Sequence, residues 1–162
     1  NTGSGNRFAG KKLPVMTLVD LSERLHQELG ATVLLLGGAD EVVRNAEIQK
    51  KSKAPVVNTG SHSLAYFAAI VRACDAVVTG DTTAMHIAIA VKTPVVAYFA
   101  STCSQEIEMY GRGQKLVSTL ACAPCYKKNC PMPVEEQCMK DMKVGDILHE
   151  LKEVLSRARR IP

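Results

Sequence analysis

The sequence predicts an α/β domain, a Rossmann-like parallel sheet with helices on both faces. Three observations predict it. Short runs rich in β-branched residues alternate with helical apolar patterns along nearly the whole chain, which is the signature of βαβ units. The 162 residues are of single-domain size, and 46% of them are hydrophobic, enough to bury a sizeable core. Several apolar runs end in glycine, at Gly37-Gly38 and Gly80, where strands would turn into helices.

Taken in order, residues 15 to 29 place Leu18, Leu21, Leu25 and Leu29 on one helical face, and Gly30 follows where a helix would stop. Thr32 to Leu36 reads as a strand. After the glycine pair, Asp40 to Lys51 forms a polar helical segment, and Pro55 to Asn58 a second strand. Ser61 and Ser63 are both candidate N-caps for a helix over 62–73. The cycle repeats with strand 76–79, helix 82–91 and strand 94–99, and a weaker run at 115–118 reads as a last strand. From Leu120 to Lys143 the pattern breaks into a Pro- and Cys-rich loop. Ile147, Leu148, Leu151, Val154 and Leu155 then mark an amphipathic helix over about 145–159, with Arg157, Arg159 and Arg160 in its last turns. One domain over 1–162 is expected, with a sheet of about five or six strands.

Composition excludes several function classes. The longest uninterrupted apolar run, Leu64 to Val71, is eight residues, far short of the roughly 20 that span a bilayer. The opening NTGSGNRFAG has neither the basic nor the apolar region of a signal peptide and reads as the start of an excised domain. Twenty Lys+Arg against sixteen Asp+Glu give +4, which suits an anionic small molecule or membrane surface but lacks the clustering of a nucleic-acid groove. The absence of Trp and the 4% aromatic content also argue against base stacking.

In open α/β sheets ligands bind beyond the carboxyl ends of the strands, so the chemistry is sought in the loops that follow them. In Gly80-Asp81-Thr82-Thr83-Ala84-Met85-His86, Asp81 is placed to cap a helix whose first amides, at Thr82, Thr83 and Ala84, face outward as an anion site. His86 lies one turn further along the same helix. The plainer reading is a capping Asp and a packed His. The opening Thr2-Gly3-Ser4-Gly5 turn, with Lys11 and Lys12 behind it, offers backbone approach and a mobile positive charge, though such a turn is common in ordinary loops. Gly37-Gly38-Ala39-Asp40-Glu41 puts carboxylates where a sugar hydroxyl would be held, or simply adds acids to a helix start.

Cys122, Cys125, Cys130 and Cys138 crowd into seventeen positions, apart from Cys74 and Cys103. An apolar core and no export signal favour a reducing compartment over a disulfide scaffold. The four thiols fit a structural tetrathiolate zinc site only in part, because one CxxC knuckle stands where zinc ribbons pair two. A reduced, Pro-stiffened loop, or a disulfide formed on oxidation, accounts for them too.

DTTAMHIAIAVKTPVVAYFAST, preceded by SHSLAYFAAIVRACDAVVTG and followed by CAPCYKKNCPMPVEEQCM, closely resembles the C-terminal half of glycosyltransferase family nine, the ADP-heptose:lipopolysaccharide heptosyltransferases. The likeness covers essentially the whole chain, and its motifs come in the family's order, from a Gly-turn with Lys-x-x-Pro to the cysteine loop and last helix. The resemblance implies a GT-B enzyme in which this chain is the donor-binding domain, the N-terminal acceptor domain being absent. By motif, Asp81, Thr82, Thr83 and His86 would hold the diphosphate and sugar of ADP-heptose, Lys11 and Ser4 would stand by the phosphates, Glu41 by the ribose or adenosine, and His62 by adenine. Thr83 replaces the family's usual glycine, Ala100-Ser101-Thr102 its Gly-Pro-Thr, and Leu13 a tryptophan.

The resemblance implies inverting transfer to the lipopolysaccharide inner core, with the general base in the N-terminal domain and no catalytic residue in this chain. The isolated domain is then inactive, requires no cofactor, and belongs to a cytoplasmic protein peripheral to the inner membrane. Its partners would be the nucleotide sugar and the core acceptor, with no nucleic acid. The alternatives are a GT-B-like domain using another nucleotide sugar, and a non-catalytic metal-binding or interaction module.

Overall fold

The computed structural model describes residues 1–4, 11–134 and 136–158, so Gly5, Arg159 and Arg160 lie outside the described residues. In chain order the elements are α1 (Val15–Leu29), β1 (Val33–Leu35), a 3-10 turn at Ala39–Glu41, α2 (Val42–Lys51), β2 (Val56–Asn58), α3 (Leu64–Ala73), β3 (Val77–Gly80), α4 (Thr83–Ala90), β4 (Val95–Phe99), β5 (Gly113–Val117), α5 (Gln137–Lys140) and α6 (Val144–Ala158). β1, β2 and β3 are each followed by a helical segment and β4 by a loop that leads to β5, and every pairing is parallel. This is the expected α/β architecture.

The pairing differs from the single sheet expected. β1 pairs with β2, and β3, β4 and β5 form a separate ladder. The opening residues reach both: the Asn1 amine donates to the Val78 carbonyl at 2.7 Å, and the Thr2 amide to the Leu36 carbonyl at 3.0 Å. The backbone that joins the ladders is therefore the first turn of the chain, which carries no strand pattern of its own.

β4 explains the layering. It is buried along its whole length, and the period of two sends alternate side chains to opposite faces. Val96, Tyr98 and Ala100 enter a core shared with α1, α2 and α6, while Val95, Ala97 and Phe99 enter another shared with α3 and α4. The amphipathic faces of α1 and α6 meet in the first of these cores through Leu18, Leu21, Leu25, Ile147, Leu148 and Leu151. Lys152 of α6 reaches Glu28 of α1 at 2.6 Å on the outside. Ser63, one of two candidates, is the N-cap of α3, accepting from the Tyr66 amide at 3.4 Å. Within the cysteine loop the four-residue α5 stands where no element was expected.

Candidate functional site

A cleft of about 640 Å3 opens at the carboxyl ends of β1 and β3. Its wall includes Ser4 and Lys11 from the opening segment, Glu41 after β1, His62 before α3, and Asp81, Thr82 and Thr83 at the start of α4. These are the predicted residues except His86. The His86 ring is 60% exposed, with Nε2 4.0 Å from Asp81 Oδ1, so it stands mostly in solvent beside Asp81.

Lys11 and Asp81 are the charged centre of the wall. Lys11 Nζ donates to Asp81 Oδ2 at 2.8 Å and to the Asp81 carbonyl at 3.1 Å. Both side chains are largely shielded from solvent. Burial by itself would raise the Asp81 pKa, but the Lys11 ammonium, the Thr102 hydroxyl and the more distant His86 together hold it below the ordinary carboxylate value. The expected cap is thereby corrected. Thr82, not Asp81, is the N-cap residue of α4, and its hydroxyl lies 3.0 Å from Thr79 Oγ1 without bonding a first-turn amide. An ammonium is the stronger partner for a carboxylate than an amide, and Lys11 is within its reach.

The α4 amides of Thr83 and Ala84, both in the wall, have no carbonyl one turn earlier in the helix to bond. They add the positive end of a helix to the Lys11 ammonium, an arrangement suited to an anion. Thr83 places its Cβ here, and it is exposed rather than packed.

Glu41 closes the opposite wall and is only 3% exposed. Its Oε2 accepts from the Gly38 amide at 3.0 Å, while Lys12 Nζ lies 3.1 Å from Oε1 in an ion pair without hydrogen-bond alignment. A Cβ at Gly3 would fall 2.0 Å from the Glu41 carboxyl carbon, so the opening turn approaches the carboxylate only because that position is glycine. Glu41 Oε1 is buried beneath the opening turn, with Lys12 as its ion-pair partner. At the far end, His62 stacks on Tyr66 with centroids 6.5 Å apart, beside Leu64 and Phe67, a surface suited to a flat ring.

Sequence reasoning missed Asn1. Its side-chain amide donates to the Gly3 carbonyl at 2.8 Å and reaches Thr79 Oγ1 and Thr82 Oγ1, each at 3.3 Å, tying the opening turn to the start of α4. An Asn ahead of a Thr-Gly-Ser turn was the available signal, since Asn bonds nearby backbone in turns.

The cysteines of the late loop are free thiols. Among the described residues, no group of three or more His, Cys, Asp or Glu side chains is arranged to hold a metal ion. Burial pushes the Cys138 thiol up, the Met139 backbone opposes this, and Cys130, Cys122 and Cys125 nearby push it up further. No described helix is long and apolar enough to cross a membrane.

The model of the family described as glycosyltransferase family 9 (heptosyltransferase) matches residues 5–135. Lipooligosaccharide heptosyltransferase 2 of Campylobacter jejuni (serotype O:6) is 37% identical over 83 residues, covering 50% of this chain and 26% of its own length. Lipopolysaccharide heptosyltransferase 1 of Pseudomonas aeruginosa is 31% identical over 150 residues, 90% of this chain and 40% of its own. Among solved structures, the E. coli ADP-heptose lipopolysaccharide heptosyltransferase II superposes with a TM-score of 0.73 at 21% identity, covering 98% of this chain and 46% of that one. A family 9 glycosyl transferase from Veillonella parvula gives 0.76 at 16% identity, over 97% of this chain and 45% of that one. The chain thus spans less than half the length of these relatives, and the solved structures share its fold.

Proposed function

This chain belongs to glycosyltransferase family 9, and from that premise we propose that its cleft binds the ADP moiety of ADP-heptose, as the donor-binding half of a heptosyltransferase of the lipopolysaccharide inner core. The observation that carries the reading is the convergence of Lys11, the α4 amides and the buried Glu41 in one cleft at the strand ends. The names of the relatives supply the donor and acceptor classes.

In this reading the diphosphate lies at the start of α4, a ribose hydroxyl donates to Glu41, and adenine rests near His62. As the bond from sugar to diphosphate breaks, negative charge grows on the leaving phosphate. Lys11 and the Thr83 and Ala84 amides are already fixed there, so they stabilise the transition state more than the ground state. Asp81 holds Lys11 in place and neutralises part of its charge until the phosphate arrives. Inverting transfer also needs a base to deprotonate the acceptor hydroxyl, which the other half of the enzyme supplies. The whole protein then works in the cytoplasm, peripheral to the inner membrane where its acceptor lies.

Titration calorimetry with ADP, UDP and GDP tests the reading. ADP is expected to bind most tightly. Equal affinity for all three, or a preference for UDP, would overturn the adenine assignment in favour of another nucleotide sugar. In the same experiment His86→Ala should leave the melting temperature unchanged and weaken ADP by roughly two- to tenfold, one hydrogen bond's worth. Destabilisation with unchanged affinity would remove His86 from the site.

A further inference from the structure

Behind the cleft, two side chains outside its wall hold the loops that form it. Tyr98 of β4 is 2% exposed, and burial pushes its hydroxyl up to about 12 although Arg44 and the backbone of Gly80 and Leu13 approach it. Arg44 of α2 donates through Nη2 to the Leu13 carbonyl and through Nε to the Thr2 carbonyl, the latter at 3.2 Å. Gly80 is pressed between the Lys11 backbone and the Tyr98 ring. A Cβ there would lie 3.0 Å from the Lys11 carbonyl and 3.0 Å from the Tyr98 ring. Three wall segments, the opening turn, Lys11–Leu13 and Gly80–Asp81, therefore rest on Arg44 and Tyr98.

We propose that Arg44 and Tyr98 are positioning residues of the donor cleft, setting the separation between the Lys11 ammonium and the α4 amides to suit a diphosphate. The proposal rests on the reading of the cleft as a nucleoside diphosphate site. Its physical content is pre-organisation. An ammonium on a four-carbon stem loses rotamer freedom when it binds phosphate, and a backbone already fixed at Lys11 and Asp81 reduces what remains to be ordered. The planar guanidinium donates from Nε and Nη2 in a fixed fork, so the two carbonyls are held at a set separation, whereas a lysine's single ammonium on a flexible stem fixes no such geometry. Tyr98 adds a flat, incompressible floor under Gly80 and a hydroxyl between the backbone of Gly80 and that of Leu13.

The test is a double-mutant cycle on ADP affinity, read by calorimetry well below the melting temperature. Tyr98→Phe keeps the ring and loses the hydroxyl; Arg44→Lys keeps the charge and loses the rigid two-armed fork. Each is expected to fold and to weaken ADP by roughly five- to tenfold, the loss of one or two hydrogen bonds' worth of order. Because both act through Lys11, adding Lys11→Ala to either should cost less than Lys11→Ala costs alone. A purely structural role predicts a lower melting temperature with unchanged affinity, or fully additive losses, and either result overturns the proposal. So does failure of both variants to fold. If the wild-type chain binds no ADP, the reading of the cleft falls and the positioning role falls with it, an outcome distinct from variants that bind as well as the wild type.

Discussion

Asp81 shows how one side chain divides between stability and binding. Its carboxyl pKa is held below the ordinary 3.8. A group with a depressed folded pKa contributes stability that is fully present above its unfolded pKa and is lost as pH falls through the folded value. The Lys11–Asp81 pair should thus support the fold at neutral pH and fail only in acid, below about pH 4. Chemical denaturation at pH 7 and pH 3 should show wild type losing more stability than Asp81→Asn across that interval, and an equal loss in both would show that the pair contributes nothing. The residue itself was legible in the sequence, as an acid at a strand-to-helix turn. Lys11 was legible as well, but its pairing with Asp81 was not, because the two lie seventy positions apart and no local pattern joins them. Arg44 and Tyr98 were illegible for the same reason: their work is done on carbonyls and rings brought near only by folding.

At the scale of elements, periodicity carried most of the information. α1 runs over the predicted 15–29, and α6 begins and ends within a residue of its predicted bounds over the described chain. β5 was the weakest expectation, because its Gly113-Gln114-Lys115 start is polar and the strand lies at the edge of its ladder. α5 was missed, being one turn inside a loop rich in proline and cysteine. The junction of β3 and α4 is tightly packed at Gly80. Gly80→Ala should cost about 1–3 kcal/mol, since the new methyl meets the Lys11 backbone on one side and the Tyr98 ring on the other. Thermal unfolding measures the cost. A change within about 0.5 kcal/mol would mean that the loop moves aside freely.

For the whole molecule, the expected parallel α/β layering is present, but its division into two ladders was beyond sequence reasoning, since strand pairing is a relation between distant segments. The helical layer over the larger core is closed by α6, where Ile147 is fully buried. Ile147→Ala should destabilise the chain by about 2–5 kcal/mol in denaturant titration. A loss under 1 kcal/mol would place that residue outside the cooperative core.

The meeting of α1 with α6 also imposes an order on biosynthesis. The first helix leaves the ribosome long before the last, and domains form as their parts become available. Until α6 follows, Leu18, Leu21 and Leu25 lack the cover that Ile147, Leu148 and Leu151 provide in the finished core. Between the emergence of α1 and that of α6 the nascent chain therefore carries an apolar stripe, a surface that chaperones would recognise and that a product stalled in that interval would keep exposed.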